Sequence, residues 1–372
     1  MSNSLRMQGR IHCLVVRPTR PKTEHSGDEI VYGRSIEYLS KTMRVDVCEL
    51  EPIGRTRQLL EIAKGAPPET TRYLGQKNRE RVYRAIEAAQ PDVICFFNEA
   101  TFPLVDVAKS VGIRSVLAAH NVHSVVAATD PDIRTRVFKP FAVQFERKWY
   151  DDTAAELVCI SKLDVEGLRN AGVKREHIFL APPGCPAPAA LSEGAMLAPE
   201  IILTGSYAWW RKRRDLKTFA MGAPLPSKII AFDETARRIL GAQAMQPQLR
   251  PLDWETCIRF GLITDSFLGG FKLKALEYVA KNCIVLSACD ISPEFADLPH
   301  ADEFVRKIST KEDIWRTIEQ ASRSPDLITR FREFKAACTS KFNWESCLLP
   351  LRDAVVAAVS SRPQKEHPRD AT

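Results

Sequence analysis

Short apolar segments alternate with helix-like segments along this sequence, and the alternation runs twice. In the first half Ile11 to Val16, Val45 to Leu50, Val93 to Phe97, Ser115 to Ala119 and Leu157 to Ile160 read as strands. Between them stand segments of helical period: Asp28 to Lys41, two arginine-rich stretches (Thr56 to Lys64 and Thr70 to Gln90), Leu104 to Val111, and a long one from Arg134 to Asp151. Ser161 is placed to cap a further helix, Lys162 to Ala171. Strands without polar alternation must be covered on both faces, and strands separated by helices connect in parallel. The pattern predicts a doubly wound α/β domain. Around Ala181 it stops, where Pro182, Pro183, Gly184, Pro186, Pro188 and Pro199 leave no period and mark an interdomain linker. It restarts with Ile201 to Leu203, Lys228 to Phe232, Arg259 to Ile263 and Ile284 to Ser287. The expected architecture is α/β, with two Rossmann-like domains at 1–185 and 186–345 facing a central cleft. A last amphipathic helix at 346–360 and a disordered polar tail at 361–372 complete the chain. Ligands of such sheets sit at the carboxyl ends of the strands, which puts the expected site in the cleft.

Charge and cysteine usage narrow the classes of function. The net charge of +7 is spread evenly, with 27 bases and 23 acids in residues 1–186 and 26 and 23 in the rest. A nucleic-acid domain concentrates its bases, so none is expected; anionic small substrates or loose contact with an acidic membrane surface fit better. No run of about 18 apolar residues exists to span a membrane. Met1 to Arg10 is polar and has no apolar leader core, so the expected compartment is the cytoplasm. None of the ten cysteines forms a C-x-x-C pair, and Cys13, Cys48, Cys95, Cys159 and Cys283 lie in or beside apolar strands, where a thiol acts as a small hydrophobe.

The stretch Phe267 to Ala280 (FLGGFKLKALEYVA) carries the most chemistry. It reads as a glycine turn followed by a helix, Phe271 to Ala280, with a lysine in its first turn. Backbone N–H groups at a helix start together with the Lys272 ammonium make an anion site suited to phosphate. Glu277, more than a turn further on, is placed to accept hydrogen bonds from a ribose diol. In a helix Lys274 would point about 200° away from Lys272 and would not share its phosphate.

These residues resemble the retaining GT-B glycosyltransferases, in particular the family-four (group 1) enzymes. Gly270, Lys272, Lys274 and Glu277 match that family's donor-binding helix, and Cys283 to Ser287 its following strand. Leu203-Thr204-Gly205-Ser206-Tyr207 resembles its first C-domain loop, Pro182-Pro183-Gly184 its domain junction, and Phe342-Asn343-Trp344-Glu345 the start of the final helix that returns to the N-domain. Val158-Cys159-Ile160-Ser161 resembles its last N-domain strand and cap, and Gly27 its glycine loop beside the donor. Two departures stand out. Gly269 occupies a position where the family often has a glutamate facing the donor sugar, and Arg211-Lys212-Arg213-Arg214 replaces the usual basic pair. One of these four bases is expected to meet the diphosphate; Arg211 stands for them among the expected donor-binding residues, and the sequence does not single one out.

His120 ends the strand Ser115 to Ala119, and the resemblance implies that it is catalytic, near the donor sugar and the acceptor. His123 gives a His-x-x-His spacing but has no third ligand nearby, so no metal and no other cofactor is expected. Glu99 and Asp130 follow strand ends and could meet an acceptor hydroxyl, or be ordinary loop carboxylates. Trp209 and Trp210 beside four bases could stack on nucleobases. The resemblance implies a metal-independent, retaining hexosyltransferase that uses a nucleotide-sugar donor and a hydroxyl acceptor, be it a glycan, a lipid-linked species or a small molecule, with polysaccharide biosynthesis as the implied setting. A nucleotide-sugar epimerase of the same architecture and a non-catalytic nucleotide or nucleic-acid binder are the alternatives.

Overall fold

The structure, a computed structural model, describes residues 10–19, 27–64, 66, 68–151, 155–221, 227–247 and 252–361. The polar ends of the chain, including the tail expected at 361–372, fall outside the described residues except for Arg10 and Ser361.

Two six-stranded sheets organise the chain. The strands of the first are β1 His12–Pro18, β2 Arg44–Leu50, β3 Val93–Phe97, β4 Arg114–Ala119, β5 Ala155–Cys159 and β6 Phe179–Leu180. Those of the second are β7 Met196–Leu203, β8 Ile229–Ala231, β9 Ala244–Met245, β10 Cys257–Ile263, β11 Cys283–Ser287 and β12 Val305–Lys307. All the described pairings are parallel. The first sheet runs β2-β1-β3-β4-β5-β6, and the second β12-β11-β10-β7-β8-β9. In each, strand order reverses at one place: between β1 and β3, and between β7 and β10. The loops leaving those four strands therefore diverge and open a crevice.

Burial explains the apolar runs. Leu14 and Val16 enter one core and Cys13 and Val15 another, one on each face of β1. The helix Trp344–Ser360 belongs to the second of these: Leu348, Leu351, Ala354, Val355 and Ala358 pack with Cys95, Phe97, Val116 and Val158 of the first sheet. Burying one aliphatic side chain contributes roughly 1.5–3 kcal/mol, so this face holds the helix on the first domain although it follows the second in sequence. Where the chain passes from one half to the other, Cys185 N–H donates to Phe342 O at 2.6 Å. Gly184 lies against Trp344 so closely that a Cβ there would be 2.3 Å from Cγ of the indole.

Three helix expectations change. The stretch Thr70 to Gln90 is a 3-10 turn, Pro68–Tyr73, and a separate helix, Gln76–Ala89, parted at Leu74 and Gly75. The long helix from Arg134 is two, Ile133–Val137 and Lys139–Tyr150, parted at Phe138. Pro140 is the cause, because its nitrogen has no hydrogen to donate into the preceding turn. The helix expected from Phe271 begins at Leu273. Gly270 has φ +60°, and Lys272 has φ −79° and ψ 82°, so both lie outside the helical conformation.

Candidate functional site

The loops leaving β7 and β10 bring three lysines to one carboxylate. Asp265, just beyond β10, is buried. Lys272 Nζ lies 3.3 Å from its Oδ2 and 4.4 Å from the centre of the Phe267 ring. Burial alone would raise the Asp265 pKa, but Lys272, Lys212 and Lys274 outweigh it and hold the carboxyl down at about 2. Burial lowers the pKa of Lys274, and the neighbouring Lys272 ammonium lowers it further. Burial likewise lowers that of Lys212, with Lys274 and Lys272 adding to the effect. For Lys272 burial pulls down, yet the Asp265 charge wins and the pKa rises. Three ammonium groups around one carboxylate leave a local excess of positive charge.

Lys274 Nζ is buried with no hydrogen-bond acceptor and sits 4.7 Å from the centre of the Tyr207 ring. Gly205 allows this approach. Its φ is +82°, and a Cβ there would come within 2.3 Å of Lys274 Cε. The expectation that Lys274 points away from Lys272 is corrected: Lys272 precedes the helix, so the helical angle does not apply, and both ammoniums act on Asp265. Glu277 stands one turn further along. It pairs with Lys281 at 2.7 Å and accepts from Thr204 Oγ1 at 3.4 Å.

The first domain supplies the opposite wall. Gly27, at the start of the helix Gly27–Ser40, faces Leu273 across the cleft, with room for a Cβ at 3.7 Å from Leu273 Cδ2. Asp28 Oδ1 lies 3.7 Å from His120 Nδ1. Surrounding protein would raise the Asp28 pKa, but the His120 ring and the Lys212 charge hold it below its ordinary value. The buried His120 ring packs against Tyr32 at a tilt of 45°, 4.7 Å between centres. Glu99 is buried: its Oε2 accepts from the N–H groups of His120 and Asn121, and its Oε1 from Asn121 Nδ2, each at 3.3 Å. His123 Nε2 is 3.5 Å from the same Oε1. Glu99 is thus a clamp on the His120–Asn121 turn rather than an open group for an acceptor.

The glycine pair seals the two walls together. A Cβ on Gly270 would lie 2.1 Å from His120 O, and one on Gly269 would lie 2.6 Å from Val126 Cγ2. That contact accounts for the missing glutamate: position 269 has no space for a side chain unless the helix His123–Thr129 moves.

Arg211 and Asp130 meet each other rather than the lysine cluster, and Asp130 is a structural carboxylate. Asp130 is fully buried and takes Arg211 Nε at 2.9 Å and Arg214 Nη1 at 2.7 Å, so both arginines are tied to the first domain. Lys212 is the member of the quartet that reaches the lysine cluster. Its signal in the sequence was slight: Lys212 lies four residues before Leu216, the buried leucine of its helix, and so shares the leucine's face. Of the four bases only Arg213 is exposed, which removes most of the positive surface a nucleic-acid loop would need.

No family model and no curated protein sequence matches this chain. Its backbone is similar to several solved structures. Sucrose-phosphate synthase from Thermosynechococcus elongatus matches with a TM-score of 0.67 at 14% identity, covering 94% of this chain and 100% of that one. A glycosyltransferase from Rickettsia africae matches with a TM-score of 0.61 at 11% identity, covering 95% and 99%. HepE of Anabaena in complex with UDP-glucose matches with a TM-score of 0.60 at 11% identity, covering 92% and 99%. The chain has the two-domain GT-B fold of these structures.

Proposed function

We propose that this protein is a glycosyltransferase of the hexosyl-transferring class, moving a sugar from a nucleotide-sugar to a hydroxyl acceptor. The observation that carries the reading is the convergence of Lys212, Lys272 and Lys274 on a single carboxylate, with the Lys274 ammonium buried and unpaired. A diphosphate supplies the acceptor atoms and the negative charge such a cluster lacks. In the reaction the bond between the anomeric carbon and the phosphate oxygen breaks, and its electron pair stays on the diphosphate. The three ammoniums stabilise that growing charge, which makes a divalent cation unnecessary. Glu277 holds the ribose, and His120, fixed by Glu99 and Tyr32, orients the sugar. Asp28 is placed to hold the His120 ring through Nδ1. The acceptor oxygen then bonds to the anomeric carbon, and its proton passes to the diphosphate oxygen that has just left. Retention at that carbon follows from the family resemblance.

UDP-glucose is the first donor to try, because HepE holds it on the same fold. The protein is incubated with a panel of nucleotide-sugars, with and without hydroxyl acceptors, in excess chelator. The expected result is acceptor-dependent product, with slow donor hydrolysis when no acceptor is given. An isomerised donor would replace this reading by an epimerase. Turnover that needs Mg²⁺ or Mn²⁺ would overturn the metal-independent mechanism.

A further inference from the structure

The rim of the first domain carries an apolar stripe that none of the described residues covers. Ile133, Val137 and Phe141 follow one another at intervals of four residues and are 73%, 63% and 41% exposed. Thr135, on the opposite side of the same turn, is buried against Arg211 and Asp130, which fixes the orientation of the helix Ile133–Val137. Trp210 extends the stripe from the second domain. It is 44% exposed and lies over the Arg214 guanidinium, whose Nη1 is 3.8 Å from Asp132.

The charge around the stripe has one sign. Arg134, Arg136, Lys139, Arg147 and Lys148 are all exposed. The carboxylates of the same segment are Asp132, beside Arg214, and Glu146, which is buried and accepts from Ser124 N–H. Aliphatic side chains gain nothing from a solvated phosphate backbone, so nucleic acid leaves Ile133 and Val137 unexplained. The combination of an apolar stripe, an indole at its edge and flanking bases matches an anionic bilayer surface. Among the described residues no helix is long and apolar enough to cross a membrane, so the contact is peripheral.

We infer that this rim docks on the surface of an anionic lipid bilayer. The helix that exposes Trp210 also carries Lys212, so one element links the rim to the lysine cluster. Docking itself is independent of glycosyl transfer. The test therefore separates the two readings by measuring binding with no donor present.

The full chain is sedimented with vesicles of phosphatidylcholine alone and of equal phosphatidylcholine and phosphatidylglycerol. It is expected to pellet with the mixed vesicles and stay in solution with the neutral ones, and to be released as salt rises. The double variant I133S/V137S should partition about tenfold less or weaker still. R134E and R136E should each lose about fivefold or more, since each base near such a surface is worth about that much. Ile133, Val137 and Arg134 are exposed, so for I133S/V137S and R134E the melting temperature and its rise with nucleoside diphosphate should match the parent protein; Arg136 Nε also donates to Asp130 O at 3.1 Å, so R136E is compared with the parent only after its melting temperature is measured. A parent protein that stays in solution with anionic vesicles overturns the inference, as does a serine variant that pellets as well as the parent. Binding to an oligonucleotide that the serine variant retains, with no vesicle binding, would assign the rim to nucleic acid instead.

Discussion

At the scale of single residues, Lys274 joins function to cost. An ammonium without an acceptor is disfavoured in a buried place, and only an anion in the cleft relieves it. Lys274→Met is therefore expected to raise the melting temperature of the free protein while weakening nucleoside diphosphate binding. The loss should be roughly 1.5–3 kcal/mol, or about 10- to 150-fold, measured by calorimetric titration. Lys272→Ala should lose less, because Asp265 already takes up part of its charge. The pH dependence has a definite sign. The Lys274 pKa is lower folded than unfolded, so above it the unfolded chain binds more protons and stability rises with pH. That rise runs from the folded pKa up to the ordinary lysine value, and the methionine variant should lack it. Asp265 acts at the other end. Its pKa of about 2 lies below the unfolded value of 3.8, so its contribution is present above pH 3.8 and is lost as pH falls toward 2. The glycines and lysines proposed here for the phosphates stood out in the sequence. Which ammonium stays unpaired was not, because that depends on Asp265, Gly205 and Tyr207 meeting in space.

At the scale of elements, the strands were legible wherever both faces are sealed, since β1, β3 and β4 leave no polar alternation to mislead. Phe179–Leu180, Ala244–Met245 and Val305–Lys307 were missed, because two or three residues cannot display a period. The loop ahead of Leu273 shows how much one turn can decide. Two glycines there, with Gly270 at positive φ, let the loop touch the backbone of His120, and no side chain fits between. Gly270→Ala should cost more than about 1 kcal/mol in denaturant unfolding, through strain at positive φ added to the clash. Gly27→Ala is the control. It meets Leu273 only at ordinary contact distance, so stability should stay within about 0.5 kcal/mol of the parent. Similar losses at both positions would mean that the Gly270 contact does not set the loop.

At the scale of the whole molecule, the two domains share buried polar contacts. Asp130 takes two arginines from the other half, Ser161 Oγ donates to Glu294 Oε1 at 2.6 Å, and Leu268 N–H donates to Thr129 Oγ1 at 2.9 Å. Removing one member of a buried ion pair typically costs about 3–5 kcal/mol, since the partner charge is left stranded. Asp130→Ala should lower stability by that order and broaden or split the calorimetric transition as the domains uncouple. A single unshifted transition would mean that the brace contributes nothing. None of these pairs could be read from sequence, since Asp130 and Arg211 stand far apart in the chain and meet only after both sheets have formed. The junction at Gly184 has a different kind of consequence. Chain crosses between the halves at Cys185 and again at Phe342, and the two crossings are hydrogen-bonded side by side. Like two threads tied through one eyelet, they permit the halves to swivel and forbid them to slide apart. Any motion that parts Gly27 from Leu273 must turn about that eyelet, and the Trp344 ring resting on Gly184 is the bearing on which it turns.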